Sequence, residues 1–273
     1  MPVRREPDRP ANGCDDSGVP QPLHVHEYGR ADGEVLLLLH GVHGHGARWR
    51  RLAESRLTDF RVLAPDLRGH GQSPKEPPWT LEQHAADLLA VIESQSADRV
   101  TVVGHSFGGV VAVHLALLAP QRVSGLVLLD PAIHVPASDA LKNAEGAWRS
   151  FATREEAAAE QRGSWPDVAD EVIEDELDAN LVRDGDAWRP RYSPAAMAGA
   201  WSEMCRAPAL PPQGVRTLLV PALREEFVPP EYVRACRYAL GDDFEAAGLN
   251  CGHMQYLERP DDVAELIVSF AGG

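Results

Sequence analysis

Gly104-His105-Ser106-Phe107-Gly108 sets a serine between small residues two before and two after it, in a G-x-S-x-G arrangement. A strand-like run, Arg99–Val103, precedes the motif, and an apolar helical run, Phe107–Ala119, follows it. That context describes a nucleophile elbow, a sharp strand-to-helix turn that lifts the serine hydroxyl above a sheet. The glycines prevent a clash between strand and helix. The helix N-terminus favours negative charge developing beside the hydroxyl. A serine hydroxyl is a poor nucleophile until a base takes its proton. Of the 11 histidines, His253 best suits that role. It sits in a Gly-containing loop before the terminal helix. His70, in a glycine turn, reads as structural. His105 is the variable residue of the elbow, and His114 reads as a core histidine of the helix.

Such a site needs a sheet to carry it. Glu34–Leu39 (EVLLLL) is a continuous apolar run of the kind buried on both faces of a parallel sheet. Arg61–Ala64, Arg99–Val103, Val123–Leu129 and Val215–Val220 repeat the pattern, and Leu23–Tyr28 is a plausible first strand. Helical patterns alternate with them. Thr80–Ser94 has apolar residues at helical spacing, with Thr80 as N-cap and Gln83 placed for a capping box. Asp261–Phe270 closes the chain. Alternation of this kind predicts βαβ units and a mostly parallel, twisted sheet flanked by helices.

Residues 132–212 break the rhythm. They lack strand-like runs, are acidic, and hold four of the six tryptophans. An all-helical insertion between two strands predicts a cap over the strands' C-terminal edge, where open α/β sheets bind ligands. The expected organisation is a disordered leader over 1–20, a core over 21–131 and 213–273, and a helical cap over 132–212.

Composition narrows the function. With 26 Lys and Arg against 41 Asp and Glu, the net charge is −15, which disfavours nucleic acid and anionic membrane surfaces as partners. The four cysteines, Cys14, Cys205, Cys236 and Cys251, are scattered without a CxxC, so free thiols are expected. The basic N-terminus, with Arg4 and Arg5, lacks the apolar stretch of a signal peptide. The longest apolar runs, such as Val35–Leu39, are far too short to span a membrane. A soluble, cytoplasmic protein is expected. No nucleotide-binding glycine motif occurs, so no cofactor is expected. His40, His43 and His45 form H-x-x-H-x-H, and His24 and His26 share one face of a strand. No carboxylate or cysteine lies near them in sequence, and no metal is expected.

Taken in order, the motifs resemble those of the α/β-hydrolase family over roughly residues 22–273. Leu39-His40-Gly41-Val42 is similar to the family's His-Gly oxyanion segment. Asp66-Leu67-Arg68-Gly69-His70-Gly71-Gln72-Ser73 is similar to its D-x-R-G-x-G-x-S loop. Gly252-His253 with Glu258-Arg259-Pro260 resembles its catalytic-histidine loop. The resemblance implies an α/β-hydrolase fold and a Ser106–His253 pair completed by an acid. It also implies an oxyanion hole from the backbone N–H groups of Val42 and Phe107. The family's usual acid position falls on Glu225, in Ala222-x-x-Glu225-x-x-Val228-Pro229, where Ala and Glu replace the usual Gly and Asp. Asp130, after the strand Val123–Leu129, is the rival acid, and Glu226 offers a one-residue slip. A serine at the nucleophile position argues against the dehalogenases and epoxide hydrolases of the family, which use aspartate. The implied activity is hydrolysis of a small-molecule carboxylic ester. Lactone, thioester and carbon–carbon bond hydrolysis are alternatives with the same residues. A non-catalytic ligand-binding protein is the rival of another class.

Overall fold

The computed structural model describes residues 22–272; the leader expected over 1–20, and with it Cys14, lies outside them. The apolar runs become strands of a seven-stranded sheet in the order β1-β3-β2-β4-β5-β8-β9. These are β1 (Val25–Gly29), β2 (Val35–Leu39), β3 (Arg61–Pro65), β4 (Val100–His105), β5 (Val123–Leu129), β8 (Arg216–Val220) and β9 (Phe244–Ala246). All neighbours are parallel except β1, which runs antiparallel to β3 at the edge. Side chains alternate across the sheet. Leu37 and Leu39 join one core cluster, and Leu36 and Leu38 join another on the opposite face. The first cluster is covered by α2 (Leu81–Ser94), α3 (Phe107–Leu118) and α8 (Pro230–Leu240). The second is covered by α1 (Arg50–Arg56) and α10 (Pro260–Ala271), with the short α9 (Gln255–Glu258) before it. The continuous apolar runs are explained by this double cover.

Thr80 caps α2 as its sequence suggests, its hydroxyl accepting from the Gln83 N–H at 3.2 Å. The reciprocal half of the capping box is absent, because Gln83 donates its side-chain amide to Asp87 instead. The segment between β5 and β8 holds α4 (Ala137–Glu145), α5 (Arg154–Ser164), α6 (Asp170–Asn180) and α7 (Pro194–Met204). It is not all-helical. Between α6 and α7 lies an antiparallel hairpin, β6 (Leu181–Asp184) with β7 (Ala187–Pro190). The chain reverses at Gly185, whose φ of 61° suits a glycine. The two strands have four residues each and bury none of them fully, so they carry too little apolar alternation to stand out in the sequence. Ala140, Met197, Ala200, Trp201 and Met204 of α4 and α7 merge with the main core, whereas α5 and α6 form a small cluster around Phe151, Ile173 and Leu177. Of these elements, α5, α6, β6 and β7 share a cavity with Ser106, which follows the C-terminal end of β4.

Candidate active site

The turn between β4 and α3 holds Ser106 at φ 54° and ψ −120°, a conformation L-residues rarely adopt. Its N–H donates to the Leu129 carbonyl at 3.0 Å, which ties the turn to β5. The flanking glycines are sterically required. A Cβ on Gly104 would stand 2.4 Å from the Gly108 carbonyl oxygen, and one on Gly108 would stand 2.5 Å from that of Leu39. Ser106 is buried but lines a cavity of about 210 Å³. The core side of that cavity includes Gly41, Val42, His105 and His253. The inserted segment supplies Phe151, Trp165, Leu177, Leu181, Pro190 and Tyr192.

His253 follows β9 on the loop leading to α9. Glu258 fastens this loop, accepting from the Gly252 N–H at 2.8 Å and from Arg224 at 2.7 Å. The His253 Nδ1–H donates to Asp130 Oδ2 at 2.6 Å. A proton held there leaves Nε2 as the basic nitrogen of the neutral ring. Asp130 ends β5 with φ 40° and is 1% exposed. Its other oxygen accepts from the Ala222 N–H at 3.1 Å, so the carboxylate is held from two sides.

The carboxylate beside His253 is therefore Asp130, the rival, and not Glu225, the favoured acid of the sequence reading. Glu225 and its neighbour Glu226 are exposed. The physical reason is local. After β8 the chain turns tightly, with the Glu225 N–H donating to the Ala222 carbonyl at 3.1 Å, and this leaves Glu225 outside. The same turn offers its Ala222 N–H to Asp130.

Val42 and Phe107, named for their backbone N–H groups, flank Ser106. Neither amide donates to a protein acceptor among the described residues. The Val42 carbonyl is engaged, accepting from His70 Nε2 at 2.7 Å, so His70 braces the His40–Val42 segment. The other histidines of that segment go separate ways. His40 Nε2 accepts from the Leu67 N–H, His45 bonds Glu176, and His43 packs beside Tyr192 and Trp201. They form no shared ligand set.

Two features of the cavity wall escape sequence reasoning. His105, the variable elbow residue, donates from Nε2 to the His253 carbonyl at 2.8 Å, and its ring lies 4.6 Å from that of His253. Burial, then the neighbouring His253, pushes its pKa well down, which keeps it neutral. Arg48, just after the His40–His45 segment, pairs with Glu176 of α6 through two bonds of 2.8 and 2.5 Å, and His45 joins at 3.0 Å. Burial alone would push the Glu176 carboxyl up, but Arg48 and His45 hold it well below the usual range. The partners are 128 residues apart, and no local pattern links them.

The comparisons with known proteins agree with this architecture. Residues 34–260 match the family model described as the alpha/beta hydrolase fold. The chain is 41% identical to lipase LipV of Mycobacterium tuberculosis over 256 residues, covering 92% of this chain and 98% of that protein. It is 34% identical to esterase YbfF of Escherichia coli over 95 residues, 35% of this chain and 37% of that one. Among solved structures, E-2-(acetamidomethylene)succinate hydrolase superposes with a TM-score of 0.78 at 22% identity, over 92% and 95% of the two chains. That likeness shows the fold alone. The family match, the near full-length relative and the seven-stranded sheet make the chain a lipase- and esterase-like member of the α/β hydrolase fold family.

Proposed function

We propose that this chain is a serine hydrolase of carboxylic esters, with Ser106 as nucleophile, His253 as base and Asp130 as acid. The observation that carries the reading is the 2.6 Å contact between His253 Nδ1 and a buried carboxylate, in the cavity that Ser106 lines. In the reaction, His253 Nε2 takes the Ser106 proton as Oγ attacks the ester carbonyl. The N–H groups of Val42 and Phe107 receive the oxyanion, each such donor being worth about 2.7–4 kcal/mol in comparable sites. The intermediate collapses, and protonated His253 returns its proton to the departing alcohol. Water, activated by the same nitrogen, then hydrolyses the acyl-enzyme. Asp130 fixes the tautomer of the neutral ring and stabilises the imidazolium once it forms.

We assign the segment 132–212 the role of a substrate-selecting cap, because its apolar side chains form one wall of the cavity. The cavity is small against common ligand sites of roughly 300–1,000 Å³, which favours short acyl chains. No helix among the described residues is long and apolar enough to cross a membrane. The test is an ester panel from acetate to palmitate on wild type and Ser106→Ala. Turnover of short esters should fall at least about a thousandfold in the variant. Near-normal turnover would end the assignment.

A further inference from the structure

His24 and His26 look unsuited to a metal by sequence, because no carboxylate on their face of the strand lies near them along the chain. Folding supplies one. The antiparallel pairing of β1 with β3 sets His26 opposite Ala64, and the Asp66 N–H donates to the His24 carbonyl at 2.9 Å. Residues 24 and 26 project from the same face of the edge strand. One ligand atom from each of His24, His26 and Asp66 lies within 4.8 Å of the others, and His26 Nε2 is 3.4 Å from Asp66 Oδ1. None of the three lines the cavity of Ser106.

We propose that His24, His26 and Asp66 form a binding site for a divalent transition metal ion, zinc being the best fit. Two imidazoles and one carboxylate suit zinc over magnesium or calcium, which prefer all-oxygen shells. Tetrahedral zinc with bonds of about 2.0–2.2 Å sets its ligand atoms roughly 3.4 Å apart. The His26–Asp66 pair already has that spacing, and the separations to His24, within 4.8 Å, need to contract by at most roughly 1.4 Å. Asp66 is pre-positioned. The Gly46 and Gln72 N–H groups each donate to one of its oxygens at 2.7 Å, and each oxygen keeps further acceptor capacity. The side-chain amide of Gln72 lies 3.1 Å from His24 Nε2; with its oxygen turned inward it would accept from that N–H and leave Nδ1 for the ion. His26 and Asp66 border a surface crevice through which an ion and a water ligand can enter. Asp178 and Arg191 face the same crevice with opposite charges, so Asp66 sets the sign of the field there. A bound ion would staple β1 to the Asp66–Ser73 loop.

The test uses the full-length chain, stripped with chelator and titrated with zinc chloride by calorimetry, with magnesium chloride as control. One zinc per chain is expected, with affinity weakened at least tenfold in both His24→Ala and His26→Ala. Ester hydrolysis by the metal-free His24→Ala chain should stay at the wild-type level. Imidazole nitrogen NMR of the wild-type chain gives a reading independent of whether a variant folds. The His24 and His26 ring signals should move first on adding zinc. Equal affinity in wild type and both variants, a first response at other histidines such as His253, or no binding below millimolar zinc would overturn the proposal.

Discussion

Replacing Asp130 with asparagine keeps the shape of the side chain and changes only what it offers His253. In the native site Oδ2 accepts the Nδ1–H at 2.6 Å while Oδ1 accepts from Ala222 N–H at 3.1 Å. An asparagine keeps its carbonyl on Ala222 and turns its NH2 toward Nδ1. The neutral imidazole then carries its proton on Nε2, where the Ser106 proton should go. The imidazolium also loses its counter-charge. The aspartate-to-asparagine change in the well-studied serine protease triad lowers kcat about ten-thousandfold, equivalent to roughly 5.4 kcal/mol of barrier. The same fall is expected in steady-state hydrolysis of a p-nitrophenyl ester by Asp130→Asn, with a melting temperature close to wild type. Glu225→Gln, at an exposed position, should change kcat less than twofold. The reasoning is refuted if Glu225→Gln is crippled and Asp130→Asn stays active.

Gly108→Ala should lower the melting temperature by at least about 4 °C, since its Cβ would stand 2.5 Å from the Leu39 carbonyl oxygen, a backbone atom that cannot step aside; calorimetry checks this. Glu176→Gln leaves the Arg48 charge buried without a counter-charge and should cost about 3–5 kcal/mol in denaturant unfolding. Wild-type stability should also fall in mild acid. Burial lowers the pKa of His70 to about 4 and of His84 to about 3, so the unfolded chain takes up protons first. The stability this contributes is fully present above roughly pH 6.5 and drains away as pH falls toward those values. Urea midpoints measured at pH 7 and pH 5 check it, and no decrease would contradict it. Among esters, butyrate should outpace palmitate in kcat/KM, given a cavity of about 210 Å³.

Most of the sheet was legible because its strands are apolar on both faces, a pattern that survives without knowledge of partners. The elbow was legible for a related reason, since its glycines answer to steric limits within a few residues of chain. Asp130 was harder. Its selection over Glu225 depends on how two strand ends turn, one with an aspartate at φ 40°, the other with a tight turn that leaves its glutamate exposed. The Arg48–Glu176 pair and the placing of Asp66 beside His24 and His26 arise from contacts that only the fold creates. The hairpin Leu181–Pro190 was missed because strands of four residues with no fully buried face leave little periodicity to read.

The central claim is that Ser106 becomes acylated during turnover. Intact mass spectrometry after treatment with a fluorophosphonate, followed by peptide mapping, tests it most directly. A single adduct on Ser106 is expected, absent in Ser106→Ala and formed far more slowly in Asp130→Asn. An unmodified wild-type chain, or an adduct mapped to any other residue, would contradict it.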